Sequence, residues 1–484
     1  MEEKSVANSK IVSGAFWKFA ERIFNQGVSF IVSLVLARLL TPDDYGAVAV
    51  VNIFIEIANV ILVSGLNTAL VQKKEINQEE TSTIFYCSML LSLVLYGVMF
   101  VAAPWIAGVY NIPILTPVIR VFALRLPLSA FESIQSALIS REMSFKKYFI
   151  STIGGTVVSA IVGISMAMAG FGVWALVAQT LTGALIGTVV LFFTVRWRPT
   201  RQFSLQAAKP LLSYGWKIMA VDLTGTVFNN LNGMLIGVRY TSADLACYTK
   251  GKHLPNLLRN NIYNTILSVL FPAMARVGDD YAQMRKLANR SIGMLSYVIF
   301  PMMMGMIAVA EDLVLVLYTQ KWIEMVPFVC IVCFECMVSI IPTVSLLTLK
   351  SAGYSDIMLK MEFIKKPVLL ISILIAMQFG VVAVALTLPL NTLLDMLINA
   401  IFTKKKLGYS LLQQLKAVLP ATLLSLTMGA TVALIGLIGL PALPSLLLRV
   451  LAGVVVYLAL SVIFKVDAFY SILRVLRKKL PGKK

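Results

Sequence analysis

The sequence has few of the residues that build soluble catalytic or metal-binding domains. Only 13% of its 484 residues are charged, and it contains one histidine and five cysteines. No glycine loop of the Walker type occurs, which excludes a nucleotide site of that kind. The links between its apolar segments are too short to hold a catalytic domain. The chain is therefore not expected to be an enzyme, and no cofactor or metal is expected.

The cysteines and the histidine carry little site chemistry. Cys330, Cys333 and Cys336 have a spacing that occurs in metal clusters, but no fourth ligand follows them. They lie within an apolar run, so packing against neighbouring helices is the favoured interpretation of these small, soft side chains. His253 has two interpretations, a proton relay or a helix-packing residue, and the second is favoured.

Hydrophobic residues are abundant, at 58% of the chain with a mean hydropathy of +0.85. A soluble protein of this length cannot cover so much apolar surface. Because a spanning helix needs about 20 apolar residues, the predicted fold is an all-α integral membrane protein with about fourteen transmembrane helices. The predicted spans are 11–40, 45–71, 81–103, 114–139, 148–169, 172–195, 213–239, 245–275, 291–318, 325–349, 355–378, 380–403, 417–439 and 443–465.

The positive charge follows the links between spans. A net charge of +19 in a soluble protein would suit a nucleic-acid partner. Here Lys and Arg cluster in alternate links such as 196–201 and 404–406, whereas the other links hold only Arg38, Arg239 and Lys321. This asymmetry is the positive-inside pattern of membrane proteins. It predicts cytoplasmic N- and C-termini and no nucleic-acid partner.

The chain contains an internal repeat at a distance of about 200 residues. Trp17-Lys18 corresponds to Trp216-Lys217, Arg38 to Arg239, and Asp43 to Asp244. An even number of predicted spans separates the copies, so both enter the membrane in the same direction. The pattern predicts two six-helix lobes related by a parallel pseudo-two-fold axis, with two further helices at the end. The predicted divisions are 1–195, 196–406 and 407–484.

Ionisable residues occur inside several predicted spans. Each costs about 2.5–3.5 kcal/mol at membrane depth unless it faces water or a partner. Arg22 and Asn25 share one face of the first span, as Arg125 and Glu132 do in the fourth, where Pro127 is expected to bend the helix. Two interpretations are open for the deep groups, a polar lumen or structural ion pairs, and the lumen is favoured. Lysines near span ends, such as Lys217 and Lys250, can also snorkel to the interface.

Cations outnumber carboxylates in this predicted lumen, which suits an anionic substrate such as a phosphate ester. The cations assigned to it are Arg22, Arg125, Lys217, Lys250, Lys252 and Arg259. The polar residues assigned to its wall are Asn25, Asn52, Asn59, Asn229, Asn256 and Tyr263. The carboxylates assigned to ion coupling are Glu56, Glu132 and Asp222.

Two motifs add a resemblance to a known family. Residues 37–46 read ARLLTPDDYG at the end of the first span, and Leu254-Pro255 is followed by Leu270-Phe271-Pro272-Ala273. These motifs resemble the ARxLxPxxYG signature and the LP…FP pattern of bacterial Wzx-like polysaccharide flippases, members of the multidrug/oligosaccharidyl-lipid/polysaccharide exporter superfamily. The motif residues are Arg38, Pro42, Tyr45 and Gly46.

The resemblance implies a function in the bacterial inner membrane. Such proteins move an undecaprenyl-pyrophosphate-linked oligosaccharide repeat unit from the cytoplasmic to the periplasmic leaflet, for O-antigen, capsule or exopolysaccharide synthesis. Alternating access through a cationic central cavity is the expected mechanism. Membrane lipids, a polysaccharide polymerase and chain-length machinery are the expected partners. A multidrug or cation antiporter of the same superfamily is the alternative.

Overall fold

The computed structural model describes residues 2–73, 76–142, 145–278 and 280–479, and this part of the chain is helical and contains no β-strand. The helices are α1 Glu2–Leu39, α2 Pro42–Gln72, α3 Gln78–Tyr110, α4 Leu115–Phe122, α5 Arg125–Glu142, α6 Phe145–Met168, α7 Val173–Thr194, α8 Leu205–Arg239, α9 Ser242–Val277, α10 Tyr281–Ala308, α11 Ala310–Leu317, a 3₁₀ turn Gln320–Met325, α12 Val326–Val338, α13 Ile340–Ser351, α14 Ser355–Ala376, α15 Val381–Leu407, α16 Leu411–Gly436, α17 Ala442–Ile463 and α18 Asp467–Lys479.

Ten segments in the described part are long and apolar enough to cross a membrane, so the all-α, multi-pass membrane fold is confirmed. Four other helices, α5, α8, α9 and α14, match the predicted fourth, seventh, eighth and eleventh spans. These four carry the ionisable residues that lower their hydropathy. The total of fourteen spans and the two-lobe repeat stay predictions.

The contacts divide the chain into two compact units, unit 1 up to Ala246 and unit 2 from Cys247 onward. In unit 1 the largest helix contacts are α6 with α7, α2 with α8, and α1 with α6. In unit 2 they are α10 with α16, α12 with α15, and α16 with α17. These two units do not test the predicted divisions 1–195, 196–406 and 407–484, which stay a prediction.

The predicted fourth span is interrupted before its proline. Helix α4 ends at Phe122 and α5 begins at Arg125, so the bend expected at Pro127 is instead a break at Ala123 and Leu124. Pro127 then lies in the first turn of α5, where a missing backbone N–H costs no intrahelical hydrogen bond. The break places Arg125 at the start of a helix.

The chain after the last predicted span forms one more helix. Helix α18 begins at Asp467, where the sequence predicts only a basic cytoplasmic tail. Ala468 and Phe469 of α18, together with Val466 just before it, pack against a core cluster of unit 2 that includes Tyr297 and Tyr457. Residues 480–484 of the predicted tail lie outside the described residues.

Candidate functional site

The family motif forms a tight turn between α1 and α2. Asp44 accepts hydrogen bonds from the Thr41 backbone N–H at 3.0 Å and from the Thr41 hydroxyl at 2.7 Å. The Asp44 N–H donates back to the Thr41 hydroxyl at 3.3 Å. Pro42 is the first residue of α2, where proline is favoured, and the Tyr45 hydroxyl donates to the Ser33 carbonyl at 3.4 Å. The turn is therefore a capped helix start.

The same turn recurs between α8 and α9. Asp244 accepts from the Thr241 N–H at 3.1 Å and from its hydroxyl at 2.7 Å, and the Asp244 N–H donates back at 3.1 Å. The hydrogen bonds make Asp44, and not Asp43, the counterpart of Asp244. The register predicted from sequence is wrong by one residue, because one fewer residue separates Arg239 from its threonine.

Helices α2 and α8 pack against each other in antiparallel directions. We call this contact the α2–α8 seam. At one end, just beyond α8, a Cβ on Gly46 would lie 1.9 Å from the carbonyl oxygen of Ser242, the first residue of α9, and Ser242 donates a hydrogen bond to Asp43. At the other end, a Cβ on Gly65 would lie 2.2 Å from the Gly215 carbonyl oxygen. Only glycine permits backbones to approach so closely.

Polar pairs cross the same seam between its ends. The Asn230 amide donates to Glu56 at 3.2 Å, and the Ser64 hydroxyl donates to Asp222. Two of the three predicted coupling carboxylates are therefore hydrogen-bond acceptors on the seam. The predicted division of the chain places α2 and α8 in different lobes. The sequence therefore does not predict this contact.

Unit 1 encloses a polar cavity of about 610 Å³ between α1, α2, α5, α6 and α7. Hydroxyl and amide side chains dominate its wall, and its ionisable groups are Glu21, Arg125, Glu132 and Tyr148. The predicted residues that line it are Asn25, Asn59, Arg125 and Glu132. Two carboxylates and one guanidinium give this cavity more acidic than basic groups.

Hydrogen bonds hold part of this wall in place. The Asn25 amide donates to Glu21 at 2.7 Å, and its carbonyl oxygen accepts from Thr156 at 2.8 Å. The Asn59 side-chain oxygen is buried without a partner among the described residues. Glu132 reaches α7 so closely that a Cβ on Gly187 would lie 2.8 Å from its carboxylate. The cavity thus offers acceptors and donors suited to hydroxyl-rich ligands or a cation.

The remaining lumen residues of α9 belong to unit 2. The Arg259 Nη1 lies 2.8 Å from Oε2 and 3.0 Å from Oε1 of Glu335. The Tyr263 and Ser339 hydroxyls are 3.0 Å apart, and the Lys252 ammonium lies 3.2 Å from the Tyr248 hydroxyl. Arg259 of α9 is therefore a cation that is ion-paired with Glu335 of α12.

Several predicted residues lie elsewhere. Lys217, Asn52 and Asn229 are exposed, and Arg22 is half-buried on α1. None of these four lines the unit 1 cavity, and Lys250 and Asn256 lie on α9 within unit 2.

Several charged partners are not predicted from the sequence. Glu335 lies in the apolar run that contains the cysteines. A carboxylate inside such a run is the one feature of the sequence that could have identified this partner. Asp312 and Arg449 form an ion pair at 2.7 Å between α11 and α17, with side chains 16% and 12% exposed. Lys365 lies 3.4 Å from Asp395. Which acid meets which base depends on tertiary contacts.

Curated proteins with related sequences support the predicted family. The chain is 26% identical over 317 residues to "Succinoglycan biosynthesis transport protein ExoT" of Rhizobium meliloti (strain 1021), covering 65% of this chain and 64% of that protein. The chain thus spans slightly less than two thirds of that relative. It is 25% identical over 403 residues to "Lipopolysaccharide biosynthesis protein WzxC" of Escherichia coli (strain K12), covering 81% and 80%.

Solved structures support the fold. The lipid II flippase MurJ in an inward closed conformation matches with a TM-score of 0.73 at 14% identity, covering 95% of this chain and all of that one. An inward-facing multidrug transporter of the MATE family matches with a TM-score of 0.62 at 12% identity, covering 79% and 94%.

A family model decides the assignment. The model described as "Polysaccharide biosynthesis protein" matches residues 35–327, more than half of the chain and including the capped turn, the α2–α8 seam and the Arg259 segment. The family predicted from the sequence motifs is thereby confirmed, and the chain belongs to the polysaccharide biosynthesis protein family.

Proposed function

We propose that this protein is a flippase that moves an undecaprenyl-pyrophosphate-linked oligosaccharide repeat unit from the cytoplasmic to the periplasmic leaflet. The main support is the family match, because the relative ExoT is named as a transport protein of polysaccharide biosynthesis. The product would serve O-antigen, capsule or exopolysaccharide synthesis, with a polymerase and chain-length machinery as partners. The protein would lie in the bacterial inner membrane with both termini cytoplasmic.

The substrate has three parts with different chemistry. The pyrophosphate is anionic and suits the cations of a central lumen, Arg22, Arg125, Lys217, Lys250, Lys252 and Arg259. Sugar hydroxyls suit polar walls, and the wall of the unit 1 cavity supports this assignment because it is rich in hydroxyl and amide groups. The polyprenyl chain stays in the lipid, where its apolar surface remains out of water.

Alternating access is the proposed mechanism, with fourteen spans arranged as two repeated lobes and two additional helices. The α2–α8 seam supports it, since close backbone contacts at Gly46 and at Gly65 give the seam two separate ends that could open in turn. Opening the end near Asp222 would admit substrate from the cytoplasm. Opening the end near Asp43 would release it to the periplasm.

Energy would come from an ion that binds a carboxylate. Glu132 is the proposed coupling group with most support, since it lines the unit 1 cavity. Glu56 and Asp222 act on the seam through Asn230 and Ser64. Protonation or cation binding at such an acceptor would weaken its hydrogen bond and alter the seam.

The experiment is complementation of a flippase-deficient strain that makes the cognate polymer. We expect Arg125→Ala to abolish polymer export while the protein stays in the membrane, because the pyrophosphate loses a cationic contact. Arg125→Lys should retain part of the export. Lys405→Ala, which removes an exposed cation of α15, is the matched control and should leave export unchanged. Full export by Arg125→Ala contradicts the proposal.

One observation favours a multidrug or cation antiporter as the second candidate. The unit 1 cavity has two carboxylates and a single guanidinium, a balance that suits a cationic substrate. In that case the chain would lower the accumulation of a cationic dye in cells and would not restore polymer export. If the chain is an antiporter, Glu132→Gln would abolish dye efflux. If it is a flippase, even the natural chain would show no dye efflux.

A further inference from the structure

A second cavity, which we call the basic groove, lies in unit 2 between α10, α16 and the corner that joins α17 to α18. It has a volume of about 710 Å³ and is largely apolar, with Pro420 and Leu423 of α16 on one side and Phe464 on the other. Leu423 and Phe464 are 57% and 68% exposed, so the groove opens toward the surrounding lipid. It is separate from every residue assigned to the proposed lumen.

Two lysines stand at one end of this apolar groove. Lys416 comes from the second turn of α16 and Lys465 follows the end of α17, and both are exposed. Within the described part of the chain, neither ammonium takes part in an ion pair or a hydrogen bond. Asp467 also lines the groove, but it lies in the first turn of α18, where its charge compensates the helix N-terminus. The end of the groove is therefore positive.

Lys465 occupies an unusual backbone conformation. Its φ is +48°, and the Val466 N–H donates to the Ser461 carbonyl at 3.1 Å, which is the closing bond of a Schellman motif. Glycine or asparagine usually takes this left-handed position because a Cβ is unfavourable there. A lysine at this position keeps a positive charge at the groove at some cost to the helix end.

The bilayer offers one ligand with matching chemistry. An anionic phospholipid has a phosphate for the lysine end and acyl chains for the apolar walls, and basic pockets between helices on the cytoplasmic side bind such headgroups. The predicted orientation places this end of α16 and α17 on that side. We propose that the basic groove binds one anionic phospholipid of the inner leaflet, with its phosphate between Lys416 and Lys465. The lipid would fasten α18 to α16 and leave the transported substrate untouched.

The test uses the purified full-length protein and native mass spectrometry with phosphatidylglycerol or phosphatidylethanolamine. We expect phosphatidylglycerol to be retained in preference, and Lys416→Gln to weaken its binding about fivefold. Lys416→Gln with Lys465→Gln should weaken it by about 25-fold if the contributions add. Lys405→Gln, which removes an exposed cation that does not line the groove, should change nothing.

A second variant separates lipid binding from folding. Lys465→Gly removes the charge and relieves the left-handed residue, so it should retain or raise the unfolding temperature in detergent while losing phosphatidylglycerol about fivefold. Equal retention of both lipids by the natural protein overturns the proposal. So does unchanged phosphatidylglycerol binding in the double variant, or selective binding of undecaprenyl phosphate at the same lysines.

Discussion

The Ser64 hydroxyl donates a hydrogen bond to the Asp222 carboxylate, and this bond joins α2 to α8 one residue from the backbone contact of Gly65 with Gly215. Polar and glycine contacts thus coincide at the same end of the seam. A similar combination, Gly46 with Ser242 and Asp43 with Ser242, occurs at the other end. The proposed transport cycle requires these two ends to separate in turn.

The first prediction concerns the glycines of the seam. Gly46→Ala and Gly65→Ala should each abolish polymer export, because the added Cβ would lie 1.9 Å or 2.2 Å from a backbone carbonyl oxygen that cannot move independently. Complementation and membrane immunoblots measure export and protein level. Gly97→Ala on α3 is the matched control, since no atom lies within 4 Å of its added Cβ. Normal export by both seam variants contradicts the role of close contact.

The second prediction separates the two aspartates of the motif turn. Asp44→Ala should destabilise the protein by about 1 kcal/mol because it removes the carboxylate that accepts from the Thr41 N–H and hydroxyl at the start of α2, and Asp244→Ala should do the same for α9. Asp43→Ala loses only its bond with Ser242 and should leave the unfolding midpoint almost unchanged. Thermal unfolding in detergent measures all three. A larger loss for Asp43→Ala than for Asp44→Ala is incompatible with the capping assignment.

The third prediction concerns the ion pair between α11 and α17. Arg449→Ala should lower the unfolding midpoint markedly, because Asp312 keeps a largely buried charge with Ser445 at 2.6 Å as its one remaining partner among the described residues. Export per folded molecule should not change, since neither residue belongs to the proposed lumen or lines the unit 1 cavity. Arg449→Ala with Asp312→Ala should recover part of the lost stability. A drop in export without a drop in stability would instead assign this pair to transport.

The fourth prediction tests the position of Glu132. Gly187→Ala places a Cβ 2.8 Å from the Glu132 carboxylate and should displace it without altering any charge. If Glu132 couples an ion to transport, Gly187→Ala and Glu132→Gln should both reduce export and its dependence on the ion gradient. Gly27→Ala, with open space around its Cβ, is the control. Export that remains gradient-dependent in Glu132→Gln would move the coupling role elsewhere.

Local features of the site could be predicted from the sequence, because they depend on neighbouring residues. The turn with Thr41, Pro42 and Asp44 is a helix-start pattern, and apolar length predicts the spans. The order of spans, the basic links and the family followed from the same local signals. The bend expected at Pro127 is a break at Ala123 and Leu124, so the proline predicts the irregularity of the fourth span but not its form or its position.

Pairings across helices could not be predicted, because many different partners could offset the free-energy cost of a buried charge equally well. Arg259 is identifiable as a deep cation from sequence, but its partner Glu335 is 76 residues away. The α2–α8 seam depends on Gly65 meeting Gly215, and glycines in apolar helices are too common to predict a partner. The excess of carboxylates in the unit 1 cavity likewise could not be predicted, because it depends on where Glu21 and Glu132 lie in the folded structure.

We propose that the deep cations bind a pyrophosphate and do not only stabilise the fold, and Arg259 allows these two roles to be separated. Arg259→Ala alone leaves Glu335 without its cation, so a loss of export would not separate the two roles. Arg259→Ala with Glu335→Ala removes both charges, and its fold is checked by thermal unfolding.

The measurement is the flipping rate of an undecaprenyl-pyrophosphate-linked oligosaccharide in proteoliposomes that contain this double variant. We expect a folded protein that flips the lipid at least about tenfold more slowly than the natural chain, which corresponds to the loss of one charged contact. A double variant that flips the lipid at the natural rate would show that Arg259 and Glu335 are only a structural pair.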